Sequence, residues 1–158
     1  ALLDICHYNS YEGECAIKLE QAAHEGKQQL DLAKKTVEDM CKELIAVCHK
    51  SDICWKVDSE KLLVDLYYLR KEYSKEVLAY LFHLVISKAI IEVASNICKE
   101  DGVKQIALSG GTFINRILLC EVMAGFREND LLVYINEKVP CGDGGIALGQ
   151  MYLMTFEE

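Results

Sequence analysis

The sequence predicts an α/β fold in which helices pack against a sheet. Three observations predict it. Residues 101–150 alternate strand and helix patterns around glycine-rich turns. Residues 11–100 space their apolar side chains at helical intervals with little turn chemistry. The 158-residue chain is 51% hydrophobic with a single proline, enough apolar material for one packed domain.

In chain order, Ile17 to about His49 places Leu30, Ala33, Val37, Met40, Cys41, Leu44, Ile45 and Cys48 at helical spacing, with an interruption expected at Gly26. Ile53–Val57 reads as a short strand, and Asp58-Ser59 can cap a helix beginning at Glu60. Ser74 to Lys99 reads as a long helix. Phe82, Val85, Ile86, Ala89, Ile90, Val93 and Ile97 form its buried stripe, and Lys88, Glu92, Asn96 and Lys99 its wet side. Asp101-Gly102 supplies the stop. Lys104–Leu108 is a strand, Ser109-Gly110-Gly111 a turn, and Phe113–Phe126 an amphipathic helix apolar at 113, 114, 117, 118, 122 and 126. Leu131–Ile135 is a second strand, Val139–Gly145 a loop, and Ile146–Met154 a last helix.

A formal net charge of −8 argues against a nucleic-acid-coating or membrane-surface protein, since both need a basic face. The apolar stretch Leu78–Cys98 is broken by His83, Lys88 and Glu92, so no membrane span is expected. The eight cysteines contain no Cys-x-x-Cys pair, and Cys48, His49 and Cys54 lack a second ligand pair for a structural metal. They read as reduced, mostly buried thiols in a cytoplasmic protein.

Two loops could carry chemistry. Ser109-Gly110-Gly111 lets backbone approach a ligand closely, and amides at the start of the next helix attract anions; a tight turn alone explains the same residues. Asn115, one turn into that helix, could hydrogen-bond a ligand lying over the glycines. Asp143-Gly144-Gly145 supplies either a helix cap or a carboxylate for a metal beside phosphate oxygens. Both loops follow a strand, so both should lie at the same carboxyl edge of the sheet, where open α/β sheets bind ligands.

These segments, quoted in full, carry a family resemblance. Ile106-Ala107-Leu108-Ser109-Gly110-Gly111-Thr112-Phe113-Ile114-Asn115-Arg116 and Val139-Pro140-Cys141-Gly142-Asp143-Gly144-Gly145-Ile146-Ala147-Leu148-Gly149-Gln150 resemble the carboxyl-terminal end of the HypF family of hydrogenase-maturation carbamoyltransferases. Tyr11-Glu12-Gly13-Glu14-Cys15-Ala16-Ile17-Lys18-Leu19-Glu20 and Phe82-His83 extend the likeness toward the start. The resemblance implies an actin-like ATPase fold of which residues 1–158 form the second lobe, 11–100 mainly helical and 101–158 carrying nucleotide and metal loops. It implies transfer of a carbamoyl group from carbamoyl-adenylate, made from ATP in another domain, to the carboxyl-terminal cysteine of a partner, HypE. By the same resemblance Ser109, Gly110, Gly111, Asn115 and Gly144 contact the nucleotide, Glu20 reaches the ribose hydroxyls, and Asp143 ligates a divalent metal.

The chain departs from the family pattern in two ways. Pro140-Cys141-Gly142-Asp143 stands where the family usually has Pro-Pro-Asn-Asp, and no His-x-x-x-His metal pair occurs among His7, His24, His49 and His83. The chain is therefore expected to hold half a site, to need the first lobe for activity, and to self-associate through apolar surface made for that lobe. A noncatalytic nucleotide-binding or docking module is the alternative, as is a carbamoyltransferase of another pathway.

Overall fold

The computed structural model describes residues 2–30, 48–50 and 54–156. Helix α1 (Glu14–Leu30) begins where Glu14 ties down the strap before it. The Glu14 carboxylate accepts the Ser10 amide at 2.6 Å and pairs with Lys18, one turn on, at 2.6 Å. The expected interruption at Gly26 is absent, and the helix runs through it. A Cβ at Gly26 would strike the Glu76 carbonyl. Glycine there marks the crossing point with the longest helix rather than a break.

Residues 31–47, which carry most of the predicted helical spacing before His49, lie outside the described residues. Cys48–Lys50 is not a helix end but strand β1, antiparallel to β2 (Trp55–Val57) with Cys48 opposite Val57. A three-residue strand needs a partner for its backbone, and the hairpin provides one.

Asp58 caps α2 (Ser59–Leu69) by accepting the Lys61 amide at 2.8 Å. Ser74 caps α3 (Lys75–Asp101) through the Val77 amide, and Gly102 closes that helix in the left-handed region at φ 67°. Both ends fall where the local residues place them. Helix α3 is the column around which the molecule packs. Leu78, Leu81 and Val85 meet Leu62 and Leu66 of α2, while Val77, Ala79 and Tyr80 meet Ala23 and Leu30 of α1.

The predicted stripe on α3 is too narrow at one end and too long at the other. Val77–Leu81 is buried without a break, whereas Ile97, expected inside, is 42% exposed. At that turn the sheet covers the adjacent Cys98, which clusters with Leu108, Leu118, Val122 and Phe126. By length and composition α3 could cross a membrane, contrary to expectation. Half of its most apolar stretch is buried inside the protein, and that packing accounts for its composition.

Strands β3 (Gln105–Leu108) and β4 (Leu132–Ile135) pair in parallel, Gln105 beside Leu132 and Leu108 beside Ile135. They are joined through a 3₁₀ turn (Gly111–Ile114) and helix α4 (Arg116–Glu128). Ile117, Leu118, Val122 and Phe126 of α4 are buried as predicted, but Ile114 is 67% exposed because the 3₁₀ turn carries it off the helix face. A second 3₁₀ turn (Asp143–Gly145) leads into α5 (Ile146–Met154), on which no residue is buried. Among the described residues the strands form two separate two-stranded sheets rather than one mixed sheet. The fold is thus helices around a small parallel pair.

Among the described residues the thiols are less buried than composition suggests. Cys6 and Cys98 are buried, Cys15 and Cys141 half-buried, and Cys54 and Cys120 exposed.

Candidate functional site

Parallel pairing puts the ends of β3 and β4 at one edge, and both glycine loops leave from it. They touch. The Gly110 amide donates to the Cys141 carbonyl at 2.8 Å, and a Cβ on Gly142 would sit 3.8 Å from the Gly111 Cα. Gly110 has φ 103°, a conformation that favours glycine strongly, so the residue type follows from the turn that makes this contact. Gly145 is set by close approach, since a Cβ there would lie 2.5 Å from the Pro140 carbonyl oxygen.

Beside the first loop lies a cleft of about 500 Å³, within the range of small-molecule sites. Ile17 and Leu19 of α1, Phe82 and Ile86 of α3, and Leu118 of α4 give it apolar walls. Glu12, Glu20, His83, Gly111, Thr112 and Asn115 supply its polar groups. Of the residues singled out in the sequence, Glu20, Gly111 and Asn115 therefore share one cavity. Ser109, Gly110, Asp143 and Gly144 do not line it; they belong to the paired loops next to it.

Three positions differ in detail from expectation. Asn115 is not one turn into the helix but its N-cap, with Oδ1 accepting the Leu118 amide at 2.9 Å. Glu20 Oε1 accepts the Arg116 amide at 2.7 Å, so the first turn of α4 already has a carboxylate on it. An incoming anion consequently meets the Gly111-Thr112 segment rather than the α4 N-terminus. Gly110, whose amide is committed to Cys141, contributes conformation instead of a donor.

Asp143 is exposed and makes no capping hydrogen bond, which removes the helix-cap account of it. A divalent cation fits these residues only in part, because among the described residues no cluster of three or more His, Cys, Asp or Glu side chains occurs. The side chains of Cys48 and His49, of the candidate Cys48, His49 and Cys54 set, lie outside the described residues. A nucleoside fits better: the cleft combines an apolar wall for a base with two carboxylates, Glu12 and Glu20, and an amide side chain that suit sugar hydroxyls. One oxygen of Glu20 is held by Arg116, and the other has no hydrogen-bond partner among the described residues.

His83 was only weakly marked in the sequence, by its place after Phe82. It is buried, 4% exposed, with Nδ1 2.7 Å from the Ala79 carbonyl and Nε2 2.8 Å from Asn115 Nδ2. Burial lowers its pKa from the ordinary histidine value; the Ala79 carbonyl and Glu20 act in the opposite direction, and His24 adds to the lowering.

Residues 1–150 match the family described as carbamoyltransferase, Kae1-like domain, second subdomain. The chain is 27% identical over 150 residues to the probable carbamoyltransferase HypF of Methanocaldococcus jannaschii, covering 95% of this chain and 18% of that protein. A HypF homolog of Cupriavidus necator is 39% identical over 75 residues, covering 48% and 19%. Among solved structures, HypF from T. kodakarensis matches with a TM-score of 0.72 at 27% identity, covering 96% of this chain and 18% of that one. A full-length HypF in its phosphate- and nucleotide-bound form matches with a TM-score of 0.74 at 26% identity, covering 99% and 19%. The chain thus spans less than a fifth of the length of these relatives.

Proposed function

Because the chain belongs to the HypF carbamoyltransferase family, as the second subdomain of its Kae1-like domain, we propose that it supplies one half of the site at which a carbamoyl group leaves an adenylate. The observation that carries this reading is the Gly110–Cys141 hydrogen bond. It holds both glycine loops together at one sheet edge, next to a cleft that presents Glu20 and Asn115. A structural relative with bound phosphate and nucleotide supports the choice of ligand.

The residues divide the work. Phe82, Ile86 and Leu118 exclude water around the base, and the second oxygen of Glu20 accepts from ribose hydroxyls. Asn115 donates to the nucleotide, and Gly111 and Thr112 present backbone amides to its phosphate, while Ser109 and Gly110 shape the turn that holds them there. Gly144 keeps the neighbouring loop close to that phosphate without a side chain in the way. Donors fixed in a dry site before reaction stabilise charge that develops on the leaving adenylate. Asp143 offers one carboxylate to a divalent cation, whose remaining ligands come from outside this chain. The acceptor is the thiolate of a HypE-type partner's carboxyl-terminal cysteine, so this chain contributes no nucleophile. The lobe is of the actin-like ATPase type, works in the cytoplasm, and is inactive without its other half.

Asp143→Ala tests the reading. In the intact protein, transfer to the partner's terminal cysteine should fall by about 10²-fold or more while adenylate formation continues. Unchanged transfer, measured by mass spectrometry of the partner peptide, would remove Asp143 from the mechanism.

A further inference from the structure

We propose that His83 is a positioning residue: its neutral imidazole fixes the orientation of the Asn115 amide, and with it the face that the nucleotide meets. The proposal rests on the assignment of the cleft as a nucleotide site. A carbonyl only accepts, so the 2.7 Å contact from the Ala79 carbonyl puts the proton of the ring on Nδ1. Nε2 then carries a lone pair and accepts from Asn115 Nδ2 at 2.8 Å. That contact leaves Asn115 Oδ1 to accept the Leu118 amide, which it does at 2.9 Å. Each group in the series admits one role, so the amide has one orientation. One N–H of Asn115 stays uncommitted in the cleft, available to a ligand acceptor.

A second proton on His83 breaks the series. Nε2–H would face Asn115 Nδ2–H, donor against donor. If the amide turned over to relieve that clash, its nitrogen would face the Leu118 amide and the α4 cap would be lost. The groups facing His83 are Glu20 and His24 from α1 and the uncharged Asn115 from α4. Glu20 favours the imidazolium, whereas burial and His24 oppose it, so the neutral ring persists below the ordinary histidine range. Ligand affinity should be constant near neutral pH. It should fall as pH drops through the depressed value, approaching about tenfold per pH unit.

The probe is the imido analogue of ATP, titrated into the intact protein from pH 8 to 5, scoring the part of the binding that Asn115→Ala removes. His83→Leu should weaken that part at least tenfold at pH 7.5 and abolish its acid dependence. His83→Gln, which keeps an acceptor in place of Nε2, should restore much of the affinity with a flat pH profile. His24→Gln should leave the acid fall in place. In the same protein labelled with ¹⁵N-histidine, the His83 signal should report protonated Nδ1 at pH 7.5. An Nε2–H signal, or wild-type affinity and pH profile in His83→Leu, would overturn the positioning role alone. If Asn115→Ala removes no binding, the nucleotide assignment itself fails and the proposal falls with it.

Discussion

Glu20 holds the Arg116 amide with one oxygen and, in the proposed site, offers the other to ribose; substitution separates the two. Glu20→Gln keeps an oxygen for the Arg116 amide and loses the charge; Glu20→Ala loses both. Thermal melts should show little change for Gln and about 0.5–2 kcal/mol destabilisation for Ala, the usual cost of an emptied helix start. Nucleotide affinity should drop for both, because a neutral amide accepts ribose hydroxyl bonds less strongly than a carboxylate. Gly26 makes the opposite point about what a single residue discloses. In the sequence it reads as a helix interruption, yet it is the contact between α1 and the Glu76 carbonyl, 50 positions away. Gly26→Ala should destabilise the protein by about 1–3 kcal/mol through overpacking. Gly149→Ala, in α5 with nothing near its added carbon, should stabilise by about 0.5–1 kcal/mol. Denaturant unfolding of the pair decides between a breaker and a contact glycine. No local pattern distinguishes them, since the partner of Gly26 is set by tertiary packing.

At the scale of elements, limits set by local chemistry were legible, and faces were legible only where the periodic stripe alone decides them, as on α4. Asp58, Ser74 and Gly102 mark helix limits by chemistry within three or four residues of themselves, so the sequence suffices to place them. The strand–turn–helix–strand order after Gly102 and the bounds of α5 were legible for the same reason. Which face of α3 is covered depends on α1, α2 and α4 arriving from elsewhere, which is why Ile97 and the Val77–Leu81 run departed from the periodic expectation. The site divides in the same way. Glycine loops and Asn115 were found from local spacing, whereas the His83–Asn115 contact spans 32 residues and has no local signature. The strap tied to α1 gives a pH test. Lys18, then the Ser10 amide, hold the Glu14 carboxyl below its ordinary value. A lowered carboxylate pKa contributes stability that is complete above the unfolded value and is lost as pH falls through the folded one. Amide exchange at Ser10, corrected for intrinsic rate, should therefore quicken below the ordinary carboxylate range. Glu14→Ala, which removes the acceptor, should show the faster exchange already at neutral pH.

At the scale of the whole molecule, a dense run of exposed apolar side chains among the described residues lies toward the carboxyl-terminal end. Met151, Leu153 and Met154 of α5 are 67–71% exposed, and Leu132 and Tyr134 of β4 are more than half exposed. A surface of this kind associates when nothing covers it. The 158-residue chain should sediment as oligomers at tens of micromolar, and the double substitution Met151→Lys, Leu153→Lys should shift it toward monomer without lowering its melting temperature. A melting temperature lowered along with the shift would mean that α5 packs on its own chain after all.

Helix α3 enters all three apolar clusters and also carries Phe82 and His83 into the cleft. Opening or narrowing the cleft from within would require sliding the one column on which α1, α2 and α4 all rest, a deformation that strains every cluster together. Mechanically, this half of the site is an anvil. On the half-site reading proposed above, the motion that grips and releases a substrate belongs to the part that closes over this one, and this chain sets the position at which it stops.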